Sequence, residues 1–420
     1  MVDMYGNFVK QDPEHPQKVL IMDTVHGGAI IAERILPLGY KVVCADVYGV
    51  STEELMEDVR KKGATAVRDV PKDHYDLVLA PMHCPDDFLE GSTYDEKLSF
   101  SGAVNRLVGS GPTRIEVTGV KGKTSTCYVL AHILDKAGLK VYLHTSRGDG
   151  GYFGGTHLVE AFRSIAPTSI LVLPDEGYDV VISEVSLGGS AKADISVITN
   201  LAEDYGIAKN SRKASCAKAE ILTDRINWIM SSEKDIWEKY GKPLSLHTDC
   251  IKVVGEPRIG EALEITFRYQ GDDHIVKLDG SYLSLQYLQA MDMALSVCKS
   301  LNIGLQPVIA GLATFKGVPG RGEIKDENGV WHVTERNPGI SHISVGRTMG
   351  CLKAMGALDG AFAIVDPVSK KVCDKMRPQQ IKDVIDSYGV PVVFTDGINR
   401  EVPIPEGTKT VIRFIKEGFQ

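Results

Sequence analysis

Ile115-Glu116-Val117-Thr118-Gly119-Val120-Lys121-Gly122-Lys123-Thr124-Ser125-Thr126 passes from a short apolar strand, through a turn with two glycines, into residues of helical apolar spacing. A phosphate-binding loop needs that context. The glycines let main-chain N–H groups close around phosphate oxygens, and the helix N-terminus adds partial positive charge. Lys123 is expected to reach the β- and γ-phosphates of ATP, and the Thr124 hydroxyl to help hold Mg²⁺. Residues Thr118 to Ser125 are thus the expected ATP-binding loop. A plain strand-to-helix turn with a surface lysine is the alternative. Val117 stands where the commonest P-loop pattern has its first glycine, so the loop fits the shorter T-G-x-x-G-K-[ST]-[ST] form.

On either side of the loop, strands and helices alternate. Short apolar runs at 18–23, 41–46 and 75–80 are separated by helical or charged stretches such as 29–36 and 52–74. Strands are expected at 114–117, 140–144, 179–182 and 194–199, with helices at about 123–137 and 215–231. Period-two patterning at 250–280 suggests antiparallel strands, and 282–301 returns to helical spacing. After the Gly-Pro-rich linker 316–322, strands at 331–334, 361–365 and 392–394 alternate with helices near 341–356 and 377–388. The βαβ rhythm implies an α/β fold with parallel sheets. The opening dozen residues are expected to form a loose lead-in.

The chain has 420 residues, too many for one ordinary core, so two or three domains are expected. A formal net charge of −8 argues against nucleic acid as the main partner. The eight cysteines include no C-x-x-C pair, which offers neither a zinc site nor a disulfide framework. With no signal peptide and no apolar run long enough to span a bilayer, the chain reads as cytoplasmic and not membrane-bound.

Two further segments suggest chemistry. Glu184 ends the run Val180-Val181-Ile182-Ser183-Glu184. A carboxylate at the C-terminal end of a strand beside a P-loop is placed to complete a Mg²⁺ shell with Thr124; a solvated strand-end carboxylate is the plain alternative. Thr145-Ser146-Arg147-Gly148-Asp149-Gly150-Gly151-Tyr152 combines a guanidinium, a carboxylate and an aromatic ring. It is read as a flexible loop, with Arg147, Asp149 and Tyr152 contacting a large, planar, multiply carboxylated substrate.

The order of these blocks resembles the Mur ligase superfamily, whose members, with the folylpolyglutamate synthetases, share the short P-loop form. The resemblance extends through Glu184-Val185-Ser186, through Thr199-Asn200 with Asp204, and through Lys218 in an A-x-K stretch. It continues in the helix bearing Gln286, in Gly317-Val318-Pro319-Gly320-Arg321, and in the block around Glu335. It implies a Rossmann-like substrate domain (1–108), a central P-loop ATPase domain (109–318) and a Rossmann-like C-terminal ligase domain (319–420). It also implies catalytic roles for Lys123, Glu184, Lys218 and Arg321, ATP contacts from Asn200, Gln286, Arg321 and Glu335, and metal ligation by Thr124, Glu184 and a carbamylated Lys218. Tyr205 replaces the family histidine expected to bind a second metal.

The implied chemistry is ATP-dependent activation of a carboxylate as an acyl phosphate, with ATP and Mg²⁺ required. The His26-Gly27-Gly28 turn is assigned to substrate through His26 and Gly27. Together with the Arg147 segment, it is similar to the branch of the superfamily acting on a nickel tetrapyrrole. There a propionate side chain is activated and a carbon nucleophile closes a ring. Amide ligation onto a peptidoglycan or pseudomurein precursor, and slow nucleotide hydrolysis by a regulatory P-loop protein, are the alternatives.

Overall fold

The computed structural model describes residues 7–366 and 376–416. Compactness divides the chain into two units, one formed by 1–123, 140–151 and 157–247, the other by 124–139, 152–156 and 248–420.

The first unit contains a five-stranded sheet in the spatial order Thr65–Val67, Lys41–Ala45, Lys18–Met22, His74–Ala80, Thr93–Ser99. All its pairings are parallel. Val19 to Met22 are wholly buried, as expected for a central strand covered on both faces. The charged stretch after residue 51 is ordered. It holds a helix, Glu53–Lys61, whose N-cap Thr52 accepts from Leu55 N and whose acidic first turn and basic last turn suit the helix dipole. Phe8 is buried edge-on against Tyr40, so the described part of the lead-in is docked, not loose.

An eight-stranded sheet follows, in the order Ser245–His247, Ile226–Met230, Ile195–Ile198, Thr113–Thr118, Val180–Glu184, Val141–Thr145, Gly148–Phe153, Thr156–Ala161. The helix expected over 215–231 is short. It stops at Lys218, passes through one 3₁₀ turn, and yields to the strand Ile226–Met230. Apolar residues at 221, 222, 226 and 229 mimic helical spacing, but parallel pairing of Ile226 with Ile195 prevails, and buried Asn227 ties the turn to Thr223.

The second unit contains the antiparallel strands Lys252–Val253, Leu263–Tyr269 and Asp272–Leu278, as the period-two pattern predicts. It also contains a sheet in the order Arg321–Glu327, Val330–Arg336, Thr410–Ile415, Ala361–Asp366, Val392–Phe394. Each of the three α/β segments thus has its own sheet; on that basis we propose domain boundaries at 108 and 318. No helix among the described residues is long and apolar enough to cross a membrane.

Candidate active site

Strand Thr113–Thr118 lies between Val180–Glu184 and Ile195–Ile198, so the glycine-bearing turn emerges at the C-terminal edge of the sheet interior. Gly119 and Gly122 have φ of 139° and 83°. A Cβ at Gly119 would lie 2.0 Å from Thr199 Oγ1, so only glycine fits against that neighbour. Thr199 Oγ1 donates to the Lys121 carbonyl at 2.7 Å. The Asn200 amide accepts from Lys121 N at 3.1 Å and donates to Lys121 O at 3.0 Å, while its carbonyl accepts from Val120 N. These bonds tie Asn200 to the loop itself; its contact with ATP is a proposal. Asn200 is a positioning residue whose amide holds the loop open.

The Lys123 ammonium lies 4.0 Å from Glu184 Oε1, and Glu184 Oε2 accepts from Ser146 N at 3.1 Å. Glu184 is a buried carboxylate, not a solvated one. Lys218 is 1% exposed and donates to the carbonyls of Gly119, at 2.9 Å, and Ser186, at 2.8 Å. Burial, and then the Lys123 charge, push its amine well below the usual lysine range. Both contacts need N–H donors, and a carbamate would retain only one. The unmodified Lys218 side chain anchors the loop from beneath, and the lowered basicity of its amine is what formation of a carbamate would require; metal ligation by a carbamylated Lys218 is a proposal.

In the second unit the linker 316–322 is pinned. Tyr287 Oη donates to Arg321 O at 2.9 Å and accepts from Val318 N at 3.0 Å, and Leu283 N donates to Gly322 O. Arg321 Nε is buried with no hydrogen-bond partner among the described residues. An unmet charged donor costs about 1–3 kcal/mol or more, and an anionic oxygen would relieve it. That orphan fits a phosphate-contacting role. Gln286, expected on adenine, instead donates to Thr348 Oγ1 at 2.8 Å, and Thr348 donates to Glu335 Oε1 at 3.3 Å. Gln286, Thr348 and Glu335 are thus one buried cluster, with Glu335 6% exposed. Burial lifts the Glu335 carboxyl from 4.5 to about 7, although Arg321 and hydrogen bonds from Gln286 and Thr348 oppose the rise.

A carboxyl raised in the folded state stabilises the fold below its unfolded pKa and loses that contribution as pH climbs through the folded one. Between pH 4.5 and about 7 the protein should lose on the order of 3 kcal/mol at this site. Glu335→Gln is expected to raise the melting temperature relative to wild type at pH 8 and not at pH 4.5. A pH-independent difference in thermal scans would contradict the assignment.

The segment read as a flexible substrate loop is ordered. Residues 148–153 form a strand. Asp149 is fully buried, accepts from Tyr142 Oη at 2.6 Å and pairs with Arg163. Tyr152 is 5% exposed; its hydroxyl lies 3.1 Å from His132 Nδ1 and donates to Gly155 O. Both side chains are buried and bonded within the fold. Arg147 occupies the half-buried turn before the strand.

At the N-terminal sheet, His26 and Gly27 follow the central strand Lys18–Met22. Gly27 has φ of 113°, and a Cβ there would meet Thr168 Oγ1 at 1.8 Å. His26 Nδ1 lies 2.6 Å from Asp23 Oδ2, and His83 Nε2 lies 3.5 Å from the same oxygen. Burial alone would raise the Asp23 carboxyl, but the two imidazoles outweigh it and hold it at about 2; the Asp23 bond raises His26. Asp23 went unnoticed in the sequence, although a carboxylate three residues before a histidine in a glycine turn was the available signal. Tyr287 had none, because its partners Val318 and Arg321 are remote in sequence.

Residues 117–223 match the Mur ligase middle domain. The matched segment is a Mur ligase middle domain. It is 28% identical to a coenzyme F(430) synthetase of Methanosarcina acetivorans, over 89% of this chain and 88% of the relative. It is likewise 28% identical to the coenzyme F(430) synthetase of Methanocaldococcus jannaschii, over 91% and 92%. Among solved structures, the MurF ligase of Thermotoga maritima in complex with ADP aligns with TM-score 0.55 at 14% identity, covering all of this chain and 95% of that one. That likeness shows the fold. The matched middle domain and the two near full-length relatives support an ATP-dependent ligase.

Proposed function

We propose that this Mur-type ligase is a cyclo-ligase that closes the carbocyclic ring of seco-F(430) acid. The near full-length likeness to two coenzyme F(430) synthetases is the observation that carries this reading. A carboxylate is inert toward nucleophiles because it is anionic and would have to expel oxide. One propionate oxygen takes the γ-phosphoryl group and ADP leaves. The carbon nucleophile then attacks the acyl carbon, the C–O bond to phosphate breaks, and the nucleophilic carbon gives up its proton.

Lys123 is assigned to charge on the transferring phosphoryl group, as is Arg321 with its unmet donor. Main-chain N–H groups of Thr118 to Ser125, kept open by Asn200 and Lys218, would cradle the phosphates. Mg²⁺, when bound, neutralises charge between the β- and γ-phosphates; Glu184 and Thr124 are proposed to hold it, and the buried Glu184 carboxylate facing the Lys123 ammonium suits a cation. Gln286 and Glu335 are proposed for the nucleoside side.

The test is ADP formation with purified protein, MgATP and seco-F(430) acid. One ADP per acid is expected, with no amino acid present. A requirement for an amino acid would replace the proposal by amide ligation, and acid-independent hydrolysis would leave only a nucleotide switch.

A further inference from the structure

In the N-terminal sheet the order Thr65–Val67, Lys41–Ala45, Lys18–Met22, His74–Ala80, Thr93–Ser99 reverses direction at strand Lys18–Met22. Crevices for ligands in open parallel sheets form at the C-terminal ends of strands where the order reverses. Asp23 and His26 follow Lys18–Met22 at that end, and His83 follows the neighbouring strand His74–Ala80. Tyr48 follows Lys41–Ala45. Its ring stacks on His83 at 5.8 Å and 23°, faces Phe88 edge-on at 5.8 Å, and lies 6.2 Å from the His26 ring. Val25 and Val50 stand exposed on the adjoining turns.

The backbone is strained here. Asp23 has φ of 75°, unusual for a residue with a side chain, and Thr24 and Thr168 hold buried hydroxyls with no partner. Strain of this kind is retained where the surrounding structure enforces it, and it gathers at functional sites. In Asp23 one oxygen accepts from His26 N at 3.2 Å and the other holds Nδ1 at 2.6 Å. The imidazole is therefore fixed in orientation and tautomer. Nε2 takes no hydrogen bond among the described residues, on a side chain 43% exposed. A buried carboxylate behind one imidazole nitrogen is the arrangement that orients and strengthens a histidine metal ligand at the other.

We propose that His26 Nε2 is an axial ligand to the nickel of the substrate macrocycle, with Asp23 as its positioning residue and Tyr48, His83 and Phe88 as the aromatic wall. This rests on the cyclo-ligase reading above. Nickel held in a plane by four ring nitrogens keeps axial positions open, and a neutral imidazole suits it. Ligation would fix the height and centre of a ring that stacking alone leaves free to slide. That registration is needed if one of several similar carboxylates is to be activated.

The experiment titrates seco-F(430) acid into wild-type protein and into His26→Gln, recording the visible spectrum and the heat of binding. Glutamine can still donate to Asp23, so the turn is retained; MgATP binding, measured alongside, checks that the variant is folded. A shift of the nickel macrocycle's absorption is expected on binding to wild type, absent in His26→Gln, with affinity lowered about 10-fold or more. In His26→Gly, added imidazole should restore the shift. An identical shift and affinity in His26→Gln overturns the ligation while leaving the cyclo-ligase reading intact. No binding of the acid to wild-type protein that still binds MgATP overturns both.

Discussion

Turnover in the Lys123→Ala variant is expected to fall by roughly 10² or more, with the fold intact. The ammonium heads the helix Lys123–Lys136 and lies against Glu184. Removing one preorganised charge from a site where negative charge is transferred costs on that order, because no solvent reorganises in time to replace it. Stability should fall as well, since the pair is largely buried and loss of the ammonium leaves the Glu184 carboxylate without this counter-charge. Single-turnover ADP formation, compared with a thermal scan, separates the two effects. Near-normal turnover would show that this loop is not where phosphoryl transfer occurs. Lys123→Arg should recover little, since a bulkier fork cannot occupy the place of a compact ammonium.

Gly119→Ala should abolish detectable nucleotide binding in a protein that melts earlier. Two penalties coincide. An alanine at φ of 139° is strained, and its methyl carbon would lie 2.0 Å from Thr199 Oγ1 and 3.0 Å from Thr199 N. Thr199 cannot withdraw without giving up its bond to the Lys121 carbonyl, which shapes the loop. A loss of about 2–3 kcal/mol in stability is expected, and more than about 10-fold in ATP affinity. Calorimetry with MgATP reads the second. Unchanged affinity would mean that the loop's shape does not depend on this close approach. Gly122→Ala serves as the control. Its φ of 83° brings strain but no atom lies within reach of the added carbon, so a smaller loss follows.

Sequence patterning was most legible where chemistry is local. The strand–loop–helix at 113–136 follows from a buried β-branched strand and a turn that needs positive φ. The strands flanking it are written in continuous apolar runs, because a parallel sheet is covered on both faces. Glu184 could be singled out because it ends such a run. The segment after Thr145 misled for a physical reason. Glycines at 148, 150 and 151 read as flexibility, yet a Cβ at Gly150 would meet Leu158 O at 2.0 Å, so glycine there permits close strand packing.

The amino-acid order by itself determined the parallel α/β class and the phosphate loop, since both rest on contacts within a few residues and on the period of apolar side chains. Only the tertiary structure decided which polar groups are engaged and which are available. Asn200 and Lys218 hold the loop, Asp149 and Tyr152 hold their sheet and helix, and Arg321 Nε and His26 Nε2 make no hydrogen bond among the described residues. A side chain's chemistry is fixed by its type. Whether that chemistry is spent on the fold depends on neighbours far away in sequence, 99 residues for Lys218 and Gly119, and no local pattern records them.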